Sequence, residues 1–286
     1  MTASAADAVA GARDRLAAGG IPHPAREARL LLAHVLRVDE ARILARPERP
    51  LDRAEEESFA ALVARRAAGE PSAYLLGRRE FYGRTFAVDG RVLVPRPETE
   101  HLVEAALALD LPNAPRILDV GTGSGCVAVT LALELPGARV VATDRSAAAL
   151  AVARLNAATL APTVLLVAAD LAGGLDPAAF DLVVSNPPYI AASEVPALPI
   201  DVRDHEPRAA LVPGPTGLEA YERLLLQLRD LRPGTPLAVE VGAGQAGAVA
   251  ALFEAGGFRH QCTIQDYAGI PRVVIGRRAP WIDSTS

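Results

Sequence analysis

A chain of 286 residues can hold one large domain and a smaller one, and its 50% hydrophobic and 22% charged residues are typical of a globular protein. The net charge of −5 argues against general nucleic-acid binding, and two cysteines are too few for a disulfide framework or a zinc site of their own. No signal peptide opens the chain and no apolar run reaches the ~20 residues of a membrane span, so we expect a cytoplasmic protein without a membrane partner.

Residues 1–78 are predicted to form a small helical domain. Short amphipathic stretches from Ala5 to Arg66 are separated by glycines and prolines. In the last long stretch, Asp52 precedes a first turn rich in glutamate, and arginines come at the end, which is the order that the helix dipole favours. We therefore expect a helix capped by Asp52.

Residues 79–95 are predicted to form a β-hairpin linker. Apolar residues alternate from Phe86 to Val94 on both sides of Asp89-Gly90. This dipeptide is typical of a two-residue type I′ turn, so the turn of the hairpin is expected there.

Residues 96–286 are predicted to form an α/β domain. The short apolar runs RILDV, RVVAT, TVLLV, DLVVS and PLAVEV alternate with helical stretches, which indicates a mostly parallel sheet covered on both faces by helices. Near the end, HQCTIQDYAGIPRVVIGR joins two strand-like runs by a loop alone, so an antiparallel strand should close the sheet. The residues after Pro280 are polar and are expected to fray.

A glycine-rich turn follows the first strand of this domain and comprises Gly121, Thr122, Gly123, Ser124 and Gly125. Glycines there let the backbone turn tightly and let a ligand approach the peptide groups. Asp144 ends the second strand, where a carboxylate can accept hydrogen bonds from both ribose hydroxyls of a nucleotide. Because the turn lacks the later glycine of the dinucleotide motif and no P-loop is present, S-adenosylmethionine fits better than NAD or ATP.

Two more acidic residues lie near strand ends. Asp119, at the end of the first strand, can hold the ammonium group of the ligand, although a helix N-cap is an equally good interpretation. Asp170, after the third strand, can accept a hydrogen bond from the adenine amino group, with a plain turn residue as the alternative.

The fourth strand leads into VVSNPPYI, which places Asn186, Pro187, Pro188 and Tyr189 at the edge where open α/β sheets bind ligands. The Asn186 side-chain oxygen and the Pro187 carbonyl offer two adjacent acceptors for the hydrogens of a planar NH₂ group. The prolines hold this pair rigid, and Tyr189 can stack on a flat amide or base. We expect this motif to orient a nitrogen nucleophile for in-line methyl transfer.

The chain resembles the bacterial release factor glutamine methyltransferases from about Ala25 to Arg277. The stretches that carry the resemblance occur in family order and are YLLGRREFYGRTFAVDGRVLVPRPETE, ILDVGTGSG, SNPPYI, HEPRAALVPGPTGLEAY and DYAGIPRVVIGR. The resemblance implies a Rossmann-like, seven-stranded class I methyltransferase domain. It also implies that a helical domain binds class I release factors, and that the glutamine of their Gly-Gly-Gln motif is methylated on N5.

The resemblance also implies roles for individual residues. Gly121 to Gly125, Asp144 and Asn186 are expected to contact S-adenosylmethionine, with Thr99 reaching it as well. Leu171 stands where some members carry an aromatic residue, so adenine should meet an aliphatic side chain.

The proline-rich segment 191–216 has no clear periodicity and is predicted to be a substrate-facing lid, with a disordered insertion as the alternative. His205 and Glu206 lie in it and are interpreted as part of a solvated loop. Neither they nor the other histidines have metal-ligand spacing, so no metal site is expected.

Three other functions remain open on the residues alone. An adenine-N6 DNA methyltransferase or a ribosomal RNA methyltransferase could use the same Asn-Pro-Pro-Tyr chemistry, but each should show a basic recognition region, and this chain has none. A non-catalytic cofactor-binding adaptor should show a degraded motif, whereas the motif is intact. We expect a monomer that acts on protein without direct nucleic-acid contact.

Overall fold

The computed structural model describes residues 3–280. These residues fall into two compact units, 3–78 with 198–205, and 79–197 with 206–280. Within residues 3–280, no helix combines the length and apolar character needed to cross a bilayer. The fraying expected after Pro280 concerns positions outside the described residues.

The α-helices are α1 (Ala5–Ala18), α2 (Pro24–Leu36), α3 (Glu40–Ala45), α4 (Arg53–Ala67), α5 (Ser72–Leu76), α6 (Glu100–Leu107), α7 (Cys126–Glu134), α8 (Ala147–Leu160), α9 (Ile200–Arg203), α10 (Arg208–Leu211), α11 (Glu219–Gln227) and α12 (Ala246–Ala255). The strands are β1 (Arg78–Phe81), β2 (Arg84–Ala87), β3 (Arg116–Val120), β4 (Arg139–Asp144), β5 (Leu165–Ala168), β6 (Leu182–Ser185), β7 (Pro236–Glu240), β8 (Phe258–Gln265) and β9 (Pro271–Arg278). Short 3₁₀ turns lie at Pro97–Thr99, Pro177–Ala179 and Val195–Ala197.

The first unit is helical, with a core of its own that includes Leu16, Leu31 and Phe59. The predicted cap of α4 is confirmed. Asp52 Oδ1 accepts from the Glu55 amide at 2.8 Å, and the Glu55 side chain accepts from the Asp52 amide at 3.0 Å. This reciprocal pair satisfies two amides that a helix start leaves without partners.

A two-stranded hairpin of β1 and β2 is present, but its predicted turn position was wrong. The chain reverses at Tyr82-Gly83, where both residues have positive φ (51° and 68°), as a type I′ turn requires. At Asp89 the carboxylate instead accepts from the amide and guanidinium of Arg91, which makes a local turn with no strands to join. The Asp89-Gly90 pattern therefore predicted a turn correctly, but the two paired strands do not flank that turn.

The second unit is built on a seven-stranded sheet in the order β5-β4-β3-β6-β7-β9-β8. Strands β3 to β7 pair in parallel, and β9 is antiparallel to β7 and β8. The mostly parallel sheet with an antiparallel closing strand is thereby confirmed.

Both faces of the sheet are covered, because successive residues of a strand point to opposite sides. Ile117 packs in a cluster with residues of α6, α7 and α8, whereas its neighbour Leu118 packs in a second cluster with residues of α11 and α12. Fully buried central strands explain why their sequences are continuous apolar runs.

The order of the strands reverses between β3 and β6, which places a crevice at their carboxyl ends. Val120 pairs with Ser185 in this register, and Ser185 Oγ donates to the Val120 carbonyl at 2.7 Å. The glycine-rich turn after β3 and the Asn-Pro-Pro-Tyr motif after β6 therefore start side by side.

Candidate active site

The glycine-rich turn presents backbone to open space. Gly121 and Gly123 have φ of 75° and 54°, and a Cβ added to either would meet nothing within 4 Å. The amides of Gly121 and Thr122 donate to the Thr143 carbonyl of the adjacent strand at 2.9 and 2.8 Å, which holds the turn against the sheet. The turn thus leaves room for a ligand close to its peptide groups.

Gly125 differs from the two glycines before it. Its φ is 82°, and an added Cβ would lie 3.3 Å from the Cβ of Ala153 in α8. Gly125 does not line the crevice. The absence of a side chain there instead lets the start of α7 pack closely against α8.

Asp119 is a buried acid beneath the turn. Its side chain accepts from Thr122 Oγ1 at 2.6 Å. Burial raises the pKa of Asp119 to about 7, although hydrogen bonds from the Thr122 hydroxyl and the Ala128 amide lower it. A buried carboxylate without a cationic partner among these contacts is suited to a ligand's ammonium group.

Asp144 ends β4 beside the turn. Its Oδ2 accepts from the Gly123 amide at 3.0 Å and its Oδ1 from the Ser146 amide at 2.8 Å. Each carboxylate oxygen has a second lone pair, so both can still accept from a ribose diol.

Asp170 and Leu171 follow β5. The Asp170 carboxylate pairs with Arg223 of α11, a partner that no local sequence pattern predicts. Leu171 has a φ of 55°, and non-glycine residues pay a steric penalty in this left-handed region. The Ala172 amide donates to Gln227 Oε1 at 2.8 Å, which helps to hold the strained turn.

Asn186 directly follows β6, as predicted. Its Nδ2 donates to Thr99 Oγ1 at 3.1 Å. Because the NH₂ end of the amide is engaged, Oδ1 is the end left to accept from a substrate.

These side chains surround one cavity of about 290 Å³. The predicted residues that line it are Thr99, Asp119, Gly121, Thr122, Gly123, Ser124, Asp144, Asp170, Leu171, Asn186 and Pro188. Gly125, Pro187 and Tyr189 do not line it. The Tyr189 ring is partly buried against the apolar cluster that contains α11 and α12, and burial beside the Glu240 charge raises the pKa of its hydroxyl.

Part of the segment 191–216 forms a wall of this cavity. Pro207, Ala210 and Val212 line it, and α10 lies within this stretch. Glu206 is buried and its Oε1 accepts from Arg96 Nη2 at 2.7 Å, so the interpretation of Glu206 as part of a solvated loop was wrong. Glu206 can be buried because Arg96, a cavity-lining residue of the PRPETE stretch, pairs with its charge.

Two further residues near the motif were missed. Gln245 was interpreted only as part of a strand-to-helix turn, but its Nε2 donates to the Tyr189 carbonyl at 2.8 Å. Glu240 ends β7 at the same edge of the sheet, is 2% exposed, and lies 3.5 Å from the Tyr189 hydroxyl. A lone acid at the end of an apolar run was the available signal for Glu240.

The residues present fit S-adenosylmethionine. The glycine turn gives the backbone approach, Asp119 suits the ammonium group, and Asp144 has acceptors for the ribose. Within residues 3–280 no group of three or more histidine, cysteine or acidic side chains could hold a metal ion.

Two family descriptions match the chain, "PrmC N-terminal domain" over residues 7–77 and "Methyltransferase small domain" over residues 99–198. A release factor glutamine methyltransferase of Cereibacter sphaeroides is 47% identical over 276 residues, which cover 96% of this chain and 98% of the relative. One of Bordetella pertussis is 47% identical over 265 residues, with 91% and 97% covered.

Among solved structures, a methyltransferase from Pyrococcus furiosus matches with a TM-score of 0.52 and 18% identity, covering 78% of this chain and 100% of that one. At this identity the match shows the fold alone, a methyltransferase sheet in agreement with the one described above. The identity to the curated relatives, in contrast, extends over nearly the whole of both chains. The chain therefore belongs to the release factor glutamine methyltransferase family.

Proposed function

We propose that this protein transfers the methyl group of S-adenosylmethionine to the side-chain amide nitrogen, N5, of the glutamine in the Gly-Gly-Gln motif of class I release factors. The observation that carries the proposal is the Asn186 amide, whose NH₂ end is engaged by Thr99 while its oxygen remains able to accept. Membership of the family and the intact Asn-Pro-Pro-Tyr motif support it.

The cavity residues hold and orient the cofactor. Asp119 would pair with the ammonium group, Asp144 would accept from the ribose hydroxyls, and Gly121 and Gly123 would let the ligand approach the turn. Leu171 would pack against adenine. The bound cofactor supplies an electrophilic methyl group on a sulfonium.

The motif after β6 orients the nucleophile. Asn186 Oδ1 and the Pro187 carbonyl accept the two hydrogens of the glutamine NH₂ group, which keeps electron density on nitrogen and aims it at the methyl carbon. In the transfer a nitrogen–carbon bond forms, the sulfur–carbon bond breaks, and the nitrogen gives up one proton. Tyr189 sits beside this group as part of the substrate surface.

The first unit is assigned the docking of the release factor, since the match to the PrmC N-terminal domain covers residues 7–77. The proposed setting is the cytoplasm, with the enzyme working as a monomer on a protein substrate. The net charge of −5 is consistent with a protein rather than a nucleic acid as the substrate.

The test uses the full chain, methyl-labelled S-adenosylmethionine and a purified class I release factor. Mass spectrometry should locate one methyl group on the motif glutamine, and a release factor with that glutamine changed to alanine should take up no label. Asn186→Ala should lose the activity, while the matched control Asn113→Ala, at an exposed position, should keep it. Equal labelling of the altered release factor, or transfer to adenine in DNA or ribosomal RNA instead, would overturn the proposal.

A further inference from the structure

Gln245 lies in the turn between β7 and α12 and has a polar side chain that the proposed reaction does not use. This side chain reaches the Asn-Pro-Pro-Tyr motif, where its Nε2 donates to the Tyr189 carbonyl at 2.8 Å. At the other end of the same amide, Oε1 accepts from the Gly242 amide at 3.1 Å. Because a backbone N–H can only donate, the contact with Gly242 fixes which end of the Gln245 amide faces Tyr189.

The turn that carries Gln245 is itself fixed to its neighbours. The Gln245 backbone amide donates to the Gly242 carbonyl at 3.0 Å, and its carbonyl accepts from the Val249 amide of α12 at 2.9 Å. A Cβ added to Gly242 would lie 3.0 Å from the Tyr189 ring, so this turn packs against the motif with no space for a side chain. Gln245 therefore holds the Tyr189 carbonyl from a position that β7 and α12 determine.

The Tyr189 carbonyl belongs to a peptide group that has a second partner. The N–H of the same peptide group, that of Ile190, donates to the Leu211 carbonyl at the end of α10 at 2.9 Å. Because a peptide group is planar, these two hydrogen bonds orient one rigid unit. Gln245 holds its carbonyl and α10 holds its N–H.

The stretch 207–213, which contains Leu211, forms one wall of the cavity. The residues of this stretch that line the cavity are Pro207, Ala209, Ala210, Val212 and Pro213. The chain after the motif continues beside this wall, since Ala191 pairs with Gly214 in a parallel bridge and the Ala192 amide donates to the Gly214 carbonyl at 3.1 Å. The peptide group after Tyr189 thus joins the motif to the cavity wall 207–213.

We propose that Gln245 is a positioning residue for methyl transfer, which holds the peptide group between Tyr189 and Ile190 and so sets the distance between the Asn-Pro-Pro-Tyr motif and the cavity wall 207–213. The inference rests on the proposed function, because the glutamine amide must meet the methyl group between these two parts. Gln245 touches no reacting atom. Its effect is on alignment, and an in-line displacement is sensitive to small displacements of the group that orients the nucleophile.

The test uses the full chain and compares Gln245→Ala and Gln245→Glu with the matched controls Gln265→Ala and Gln265→Glu at an exposed position. Glutamate retains the acceptor for the Gly242 amide but sets a second acceptor against the Tyr189 carbonyl. Alanine removes both contacts and leaves room for water. The measurements are kcat with release factor at saturating S-adenosylmethionine, the Kd for S-adenosylmethionine by calorimetry, the melting temperature, and amide hydrogen exchange by NMR.

We expect Gln245→Ala to lower kcat roughly tenfold and Gln245→Glu to lower it on the order of 100-fold at pH 8, because two facing acceptors push the peptide group away. The Kd for S-adenosylmethionine should be nearly unchanged, since the glycine-rich turn and Asp144 belong to other strands. The Ile190 amide should exchange roughly tenfold faster in both variants, while the Val183 amide of β6 should keep its protection. A side chain that only stabilised the fold would affect both amides alike.

Three outcomes would overturn this inference without affecting the proposed function. They are a wild-type kcat in Gln245→Glu, a higher kcat in Gln245→Glu than in Gln245→Ala, and unchanged exchange of the Ile190 amide. If the glutamate variant does not fold, kcat and exchange in Gln245→Ala still decide. A wild-type enzyme that transfers no methyl group to release factor would instead overturn the proposed function, whereas the exchange measurement needs no release factor.

Discussion

Asn186 and Thr99 are 87 residues apart in the chain, yet Asn186 Nδ2 donates to Thr99 Oγ1 at 3.1 Å. One residue follows a central strand of the sheet and the other precedes α6, so the fold brings together two polar groups from separate segments. The contact gives the candidate catalytic amide a definite orientation before any ligand binds.

Asn186→Asp tests this orientation. Aspartate keeps an acceptor for the substrate but cannot donate to Thr99, and it adds a negative charge to the site. We expect kcat to fall roughly 100- to 1000-fold, comparable to the loss of one preorganised transition-state hydrogen bond. Single-turnover kinetics at saturating S-adenosylmethionine measures this, and an aspartate variant with full activity would contradict the orientation argument.

The affinity for S-adenosylmethionine should increase with pH. Because burial raises the pKa of Asp119 to about 7, this carboxyl is mostly protonated at pH 6 and must lose its proton to hold an ammonium group. Between pH 6 and 7.5 we expect roughly an eightfold fall in Kd from this one titration. Calorimetry in buffers of different ionisation enthalpy should also detect proton release on binding.

Asp119→Asn is the control for that titration. The variant should bind more weakly at every pH in the range and should show no proton release from this site. A pH dependence that survived the substitution would assign the titration to another group.

Stability should show the opposite pH trend. Burial raises the pKa of Glu240 to about 7, with a further rise from Glu98 and a lowering by Arg272. A raised pKa in the folded state gives a stabilising contribution that is complete below the ordinary value near 4.5 and is lost as pH rises through 7. Between pH 5 and pH 8, the free energy of unfolding measured with urea should therefore fall more in the wild type than in Glu240→Gln.

The groups around Glu240 must be considered in that comparison. The titratable or charged side chains that face it from the neighbouring elements are Glu98, Cys126, Tyr189, Tyr221 and Arg272. The pKa values of Tyr189 and Tyr221 are raised and that of Cys126 is raised to about 12, so none of these three titrates between pH 5 and 8. An identical pH dependence in wild type and Glu240→Gln would show that Glu240 is not the group responsible.

Leu171 offers a test that separates strain from ligand contact. Leu171→Gly removes both the left-handed strain and the aliphatic surface, so we expect stability within about 1 kcal/mol of wild type and roughly tenfold weaker binding of S-adenosylmethionine. Leu171→Ile keeps an apolar side chain, but a β-branched residue fits positive φ worse. It should bind the cofactor nearly normally and lose about 1 kcal/mol of stability in chemical denaturation.

Substitutions at two glycines of the turn should likewise separate an effect on cofactor binding from an effect on stability. Alanine at Gly121 places a methyl group where the structure has open space, so Gly121→Ala should raise the Kd for S-adenosylmethionine. Gly125→Ala pushes a methyl group towards Ala153 and should lower the melting temperature while leaving the Kd of the folded enzyme nearly unchanged. Both variants share the cost of positive φ, so the ratio of their Kd values is the informative quantity.

Much of the fold and the cavity could be predicted from local pattern. Apolar runs mark the strands, and parallel strands end at one edge, so Asp144 and Asn186 could be placed there without coordinates. The same rule applied to Glu240 and would have added it to the site.

Other features depend on contacts that are distant in sequence. Nothing near Asp170 indicates its ion pair with Arg223, and nothing near Glu206 indicates that Arg96 is available to pair with it. The predicted position of the hairpin turn was wrong for a related reason. Tyr82-Gly83 and Asp89-Gly90 are both capable of turning, and Phe81 packs edge-on against Phe86 with ring centroids 6.1 Å apart across the earlier turn.

The packing of Gly125 against α8 also predicts how a cell that carries a substitution there should respond to temperature. An enzyme with alanine at this position should keep its chemistry wherever it remains folded, so its defect should depend on growth temperature. A cell carrying Gly125→Ala as its only copy should terminate translation normally in the cold and fail on warming, whereas Gly121→Ala should be impaired at every temperature.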